Sequence, residues 1–244
     1  MKIFEARHVS KNFGGIQATS DLSFEVRRGE FLGIIGPNGA GKTTLFNLMT
    51  GYFAPTSGEL LWKGESLRGL RPDQIARRGI VRTFQITRVF PRLSIRKNLE
   101  IAHHLQRTRG RASADALERS IGSLLEFFGF SERSEIAADT LPYGDRKKLS
   151  VALALAADPE LLLLDEPVAG LNDIETAEMA DVLRKIKGRG VTQVLIEHDM
   201  KFLMGLCDRV ICLNFGRQIA EGTPQEIRND DEVIKVYLGQ EEMC

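Results

Sequence analysis

Residues 36–43 read Gly36-Pro37-Asn38-Gly39-Ala40-Gly41-Lys42-Thr43, the full G-x-x-x-x-G-K-[ST] spacing of a loop that holds phosphate. Glycines at 36, 39 and 41 permit backbone turns that a side chain forbids. Successive N–H groups can then curl round a polyphosphate. Lys42 supplies a cation for the β- and γ-phosphates, and the Thr43 hydroxyl is a ligand for Mg²⁺. The expected nucleotide-binding segment runs from Gly36 through Thr44 and takes in Pro37, Asn38 and Ala40. It is flanked by Phe31-Leu32-Gly33-Ile34-Ile35, a buried-strand pattern, and by Thr44-Leu45-Phe46-Asn47-Leu48-Met49, a helical one. Strand, glycine turn and helix together aim the positive helix end at the phosphates.

Further along, Leu161-Leu162-Leu163-Leu164 ends in Asp165-Glu166. Four consecutive leucines suit a parallel strand buried on both faces. Acids at its C-terminal end fall where open α/β sheets bind ligands. Asp165 is suited to hold Mg²⁺ through water, and Glu166 to act as general base on the attacking water. Capping of the next element is the competing use of two adjacent acids. A second apolar run, Val194-Leu195-Ile196, ends in Glu197-His198-Asp199. His198 can donate or accept near pH 7 and reach a γ-phosphate. Gln85, in Val81-Arg82-Thr83-Phe84-Gln85, carries a neutral amide able to touch both Mg²⁺ and the attacking water. His8, His103 and His104 have no comparable setting and are not read as a metal site.

These groups need a sheet to gather them. Strand-like and helical runs alternate, which predicts an α/β fold. Ile3–Val9 and Leu22–Val26 alternate like half-exposed antiparallel strands around Asn12-Phe13-Gly14-Gly15, and Leu60-Leu61-Trp62 extends that layer. Asn98–Arg107 and Ala114–Phe128 have helical spacing around a basic break, Arg107–Arg111, read as a solvated turn and not as a nucleic-acid contact. Arg146–Ala157 and Ile174–Lys187 are further expected helices. The predicted architecture is a P-loop nucleotide-binding core at 1–85 and 151–244, with an N-terminal antiparallel β layer and an inserted α-helical subdomain at 86–150.

The 33 basic and 33 acidic residues cancel, so no global charge draws the chain to nucleic acid or anionic lipid. No apolar run approaches the ~18 residues of a membrane span, and the first residues have no signal-peptide pattern. Cys207, Cys212 and Cys244 lack C-x-x-C spacing and are expected to be reduced thiols. A cytoplasmic protein is expected, for which any membrane would be supplied by a partner.

The ordered set resembles the ATPase subunits of ATP-binding cassette (ABC) transporters over nearly the whole chain. By that resemblance Gly36–Thr43 is the Walker A motif, Gln85 the Q-loop, Leu161–Glu166 Walker B, Ala169-Gly170-Leu171-Asn172 the D-loop and His198 the switch histidine. Phe13 matches the aromatic that stacks on adenine. The signature segment, commonly Leu-Ser-Gly-Gly-Gln, falls at Leu141-Pro142-Tyr143-Gly144-Asp145. Pro142 replaces a hydroxyl donor there, and Asp145 adds negative charge near an anionic ligand. Tyr143, the tail Glu221-Gly222-Thr223-Pro224 and Val236-Tyr237-Leu238-Gly239 are similar to the importers of branched-chain (hydrophobic) amino acids, a subgroup whose relatives also carry urea and amides.

The resemblance implies ATP and Mg²⁺ as cofactors and two ATPase subunits closing head to tail, each signature serving its partner's ATP. Related importers pair two different ATPase subunits, so homo- and heterodimers both stay open. The implied partners are integral membrane permease subunits and, indirectly, an external solute-binding protein. The implied place is the cytoplasmic face of the membrane. Phe90, in Val89-Phe90-Pro91-Arg92-Leu93, is either an apolar anchor for the permease or ordinary core. An exporter ATPase and a soluble, non-transport ABC protein are the alternative readings.

Overall fold

The computed structural model describes residues 1–83, 89–103 and 114–238, with the side chains of 114–117 and 238 excepted. The expected sites at Gln85, His104, Arg107–Arg111 and Cys244 lie outside the described residues.

The N-terminal layer begins with β1 (Lys2–Phe13) and β2 (Ile16–Arg27), antiparallel and closed by a tight turn at Gly14-Gly15 that leaves Phe13 opposite Ile16. β4 (Ser57–Trp62) pairs with the other edge of β1, and the short β5 (Glu65–Ser66) completes the order β2-β1-β4-β5. The second sheet contains β3 (Phe31–Ile35), β6 (Ile80–Arg82), β7 (Leu161–Asp165), β8 (Thr192–Ile196), β9 (Arg209–Asn214) and β10 (Arg217–Gly222). Its order is β10-β9-β3-β8-β7-β6, parallel throughout except for the antiparallel β9–β10 hairpin.

Every residue of β3, β7 and β8 is buried, which is why these strands are apolar runs and not alternating ones. Leu161 and Leu163 join a core with Phe4, Phe24 and Trp62 of the β layer, while Leu162 and Leu164 join a second core on the opposite face. Burial of each leucine contributes about 1.5–3 kcal/mol, so both faces of this one strand are tied down.

α1 (Lys42–Met49) packs between the sheets through Leu45, Phe46 and Leu48. α2 (Pro72–Arg77) precedes β6, and neither element is expected from periodicity because both are very short. The helical part follows with α3 (Ile95–Ala102), α4 (Ala114–Phe127) and α5 (Tyr143–Ala156), so the expected subdomain limit at 150 falls inside α5. Asn98 is fully buried under the entry to α3, where its amide bonds the Phe90 amide and the carbonyls of Phe90, Leu93 and Ser94. α6 (Asp173–Gly188) starts on a capping box between Asn172 and Glu175. α7 (Met200–Met204), α8 (Pro224–Arg228) and α9 (Asp231–Leu238) close the chain over β9 and β10.

Register decides what the sheet gathers. Asp165 lies opposite Ile196 and Ile196 opposite Ile34, so β3, β7 and β8 end level with one another. The segments that leave them, from Gly36, Glu166 and Glu197, therefore emerge at one edge. No helix among the described residues is long and apolar enough to cross a membrane.

Candidate functional site

The loop after β3 is built on backbone that only glycine tolerates. Gly36 sits at φ +149°, where a Cβ would lie 2.2 Å from the Leu213 carbonyl oxygen. Gly41 sits at φ +99°, where a Cβ would lie 2.4 Å from the Ala18 oxygen. The loop is thus wedged between β9 and β2. Among the described residues no side chain caps α1, whose first N–H groups suit an anionic ligand. Lys42 is buried, and its ammonium donates to the carbonyls of Gly36 (2.5 Å) and Pro37 (3.0 Å). Burial lowers its pKa from the ordinary lysine range, opposed by the charge of Glu166.

A cleft of about 360 Å³ opens over this loop, lined by Asn38 through Thr44, by Ile16, Gln17 and Ala18 of β2, and by Glu166, His198 and Phe215. Glu166 holds a left-handed backbone at φ +48°, a conformation costly for a residue with a side chain. Hydrogen bonds to its backbone keep it there. Its N–H donates to the Ile196 oxygen (2.9 Å), and its carbonyl accepts from Lys147 Nζ (3.1 Å) and from the Ala169 amide (3.3 Å). The turn puts Glu166 Oε1 3.1 Å from His198 Nε2. Glu197, buried beside them, accepts from the amides of Val168 (2.9 Å) and His198 (3.0 Å) and so joins the two turns. Burial raises the Glu197 pKa, and these backbone donors pull it back.

Asp165 is also buried, and its Oδ2 accepts from Arg82 Nη2 at 2.6 Å. Thr43 and Asp165 offer hard oxygen donors, the set that suits Mg²⁺ completed by phosphate oxygens and water.

Phe13 and the 141–145 segment do not line this cleft. Phe13 is exposed at the end of β1, edge-on to Phe53 (5.0 Å between centroids), with the Lys11 ammonium 5.1 Å from its ring centre. In the other segment Leu141 is buried, Pro142 is the residue before α5, and Gly144 packs so closely that a Cβ would meet Glu175 Oε1 at 2.5 Å. Tyr143 OH donates to the Ala169 oxygen (3.3 Å) and its ring lies against Gly170. Asp145 is paired with Arg133 at 2.8 Å, so the charge expected to stand open at the start of α5 is compensated.

Arg82, Lys147 and Glu197 escape a reading of motifs, because each acts through a partner distant in sequence. The signal for Arg82 was an arginine in an apolar strand next to the one that ends in Asp165.

A family model described as "ABC transporter" matches residues 19–169, more than half of the chain. This chain belongs to the ABC transporter family. A second model, "Branched-chain amino acid ATP-binding cassette transporter", matches residues 217–242. Among curated ABC proteins, the chain is 43% identical to the high-affinity branched-chain amino acid transport ATP-binding protein LivG of Salmonella typhimurium, over 93% of this chain and 94% of that one. It is 38% identical to the corresponding BraF of Pseudomonas aeruginosa, over 98% of both. Among solved ABC structures, the ADP conformation of an ATP-binding cassette superposes with a TM-score of 0.86 at 27% identity, covering 98% of this chain and 99% of that one.

Proposed function

We propose that this chain is the ATP-hydrolysing subunit of an importer for branched-chain or other small hydrophobic amino acids. The observation that carries the reading is the meeting of Glu166 and His198, 3.1 Å apart, in the cleft that also contains the phosphate loop. The relatives named above support the solute class.

The amides of the loop and the start of α1 bind the nucleotide's phosphates. Lys42 exchanges the carbonyls of Gly36 and Pro37 for phosphate oxygens, a trade favoured by charge in a buried site. Thr43, Asp165 and, outside the described residues, Gln85 would hold Mg²⁺, which would supply positive charge against the phosphates. Glu166 takes the proton of the attacking water as its oxygen bonds the γ-phosphorus and the β–γ bridging P–O bond breaks, ADP leaving with that bond's electron pair; His198 steadies the carboxylate and contacts the γ-phosphate. Phe13 supplies an apolar face for the base. The segment Leu141–Asp145 serves a second ATPase subunit closing head to tail.

Phe90, exposed and tethered to Asn98, is a suitable anchor for integral membrane permease subunits at the cytoplasmic face. An external solute-binding protein completes the system.

The test is capture of tagged Glu166→Gln protein from native membranes with Mg-ATP, followed by mass spectrometry. Two integral membrane subunits and a second ATPase subunit are expected. Recovery of soluble partners or nucleic acid alone overturns the transport reading, and wild-type turnover by Glu166→Gln in the assembled complex overturns the base assignment.

A further inference from the structure

The carboxylate expected to hold Mg²⁺ is already engaged. Arg82 Nη2 donates to Asp165 Oδ2 at 2.6 Å, and both side chains are nearly fully buried, at 6% and 7% exposure. The second guanidinium nitrogen, Nη1, donates to Asn47 Oδ1 at 2.7 Å. Asn47 lies on α1, the helix that begins with Lys42 and Thr43. The guanidinium also lies over the Phe46 ring, 5.4 Å from its centre. Behind it, the Asp165 amide donates to Thr83 Oγ1 (3.2 Å), so the carboxylate is held by the last residue of β6 and its backbone by the residue that follows. A planar group that never loses its proton thus spans the two elements that carry the expected metal ligands.

We propose that Arg82 is a positioning residue for the metal site. It removes one oxygen and much of one negative charge of Asp165 from the cation, leaving Oδ1 to act through water, and it sets the spacing between the helix of Thr43 and the strand of Asp165. The cation is consequently held more weakly than a free carboxylate would hold it. This rests on the reading of the chain as a Mg²⁺-dependent ATPase. A merely structural ion pair makes the opposite forecast, since its loss loosens the site and weakens the metal.

The test measures Mn²⁺ binding to the ATP-loaded full chain by electron paramagnetic resonance, in a Glu166→Gln background to stop turnover. Arg82→Gln should bind Mn²⁺ about tenfold more tightly, because an unscreened negative charge then faces the cation. ATP affinity in EDTA should stay within about twofold, and hydrolysis in the Glu166 protein should fall. Arg82→Lys keeps a charge beside Asp165 but not the fork to Asn47, so the carboxylate stays screened and Mn²⁺ binding should not tighten by more than about twofold. Unchanged or weaker Mn²⁺ binding by Arg82→Gln overturns the proposal. Should that variant not fold, Mn²⁺ binding by Arg82→Lys that is several-fold tighter than the parent's overturns it, because the screening charge is still present, and affinity at or below the parent's supports it. A parent that binds no ATP overturns the ATPase reading instead.

Discussion

Replacing Lys147 with methionine should slow ATP hydrolysis about thirtyfold while leaving nucleotide affinity intact. Lys147 lies on α5, one turn beyond Tyr143, and its buried ammonium donates to the Glu166 carbonyl at 3.1 Å. Burial lowers its pKa from the lysine range, opposed by Glu197, Glu166 and Asp165. A hydrogen bond from a charged donor is worth about 1.5–3 kcal/mol. It holds Glu166 at φ +48°, which costs about 1–2 kcal/mol relative to right-handed backbone. Loss of about 2 kcal/mol lets the turn relax and moves the carboxylate off His198, and 2 kcal/mol corresponds to about thirtyfold in rate. The strain of about 1–2 kcal/mol that the relaxed turn gives back offsets part of the lost bond, so stability should fall by no more than about 1–2 kcal/mol. The assay is steady-state ATP hydrolysis by the assembled complex, beside an ATP titration of the free chain and a Lys147→Arg control that should recover most of the rate. A Lys147→Met rate within twofold of wild type would refute the reasoning. Because α5 also carries the segment assigned to the partner's ATP, this one bond would link the two sites of a dimer.

Three other substitutions probe separate parts of the argument. Gly36→Ala places a Cβ 2.2 Å from the Leu213 oxygen at φ +149°, and should cost at least about 3 kcal/mol in urea unfolding and abolish ATP binding. Arg209→Met leaves the Glu30 carboxylate, which binds Arg209 through both oxygens (2.8 and 3.0 Å), with only the Arg27 amide (2.7 Å) of its present hydrogen-bond donors, and should cost about 3 kcal/mol without altering the cleft. Arg133→Ala leaves the Asp145 charge only the more distant Lys148 ammonium, 3.7 Å away; on this half-exposed pair the stability change should stay under about 1 kcal/mol. Hydrolysis in the complex should nevertheless fall, and Asp145→Asn in the same chain should restore it.

Local chemistry carried much of this protein's plan. Eight residues with the right spacing specify the phosphate loop because the glycines' freedom and the lysine's charge are properties of the residues themselves. Four leucines ending in two acids specify a doubly covered strand, because a strand turns alternate side chains to opposite faces. Short elements stayed out of reach: α2, β6 and the C-terminal helices α8 and α9 are one or two turns or three residues long, too brief for a period to declare itself. Polar partnerships across the fold were equally hidden. Arg82 meets Asp165 because β6 lies beside β7, and Lys147 meets Glu166 because α5 packs under the turn that follows β7. Arg133 neutralises Asp145 from a turn twelve residues earlier. The sequence by itself determined which chemical groups exist and which strands end in them. Only the tertiary structure decided which charges those groups meet, because a buried ion pair depends on distance and shielding from water, and neither is a property of spacing along the chain.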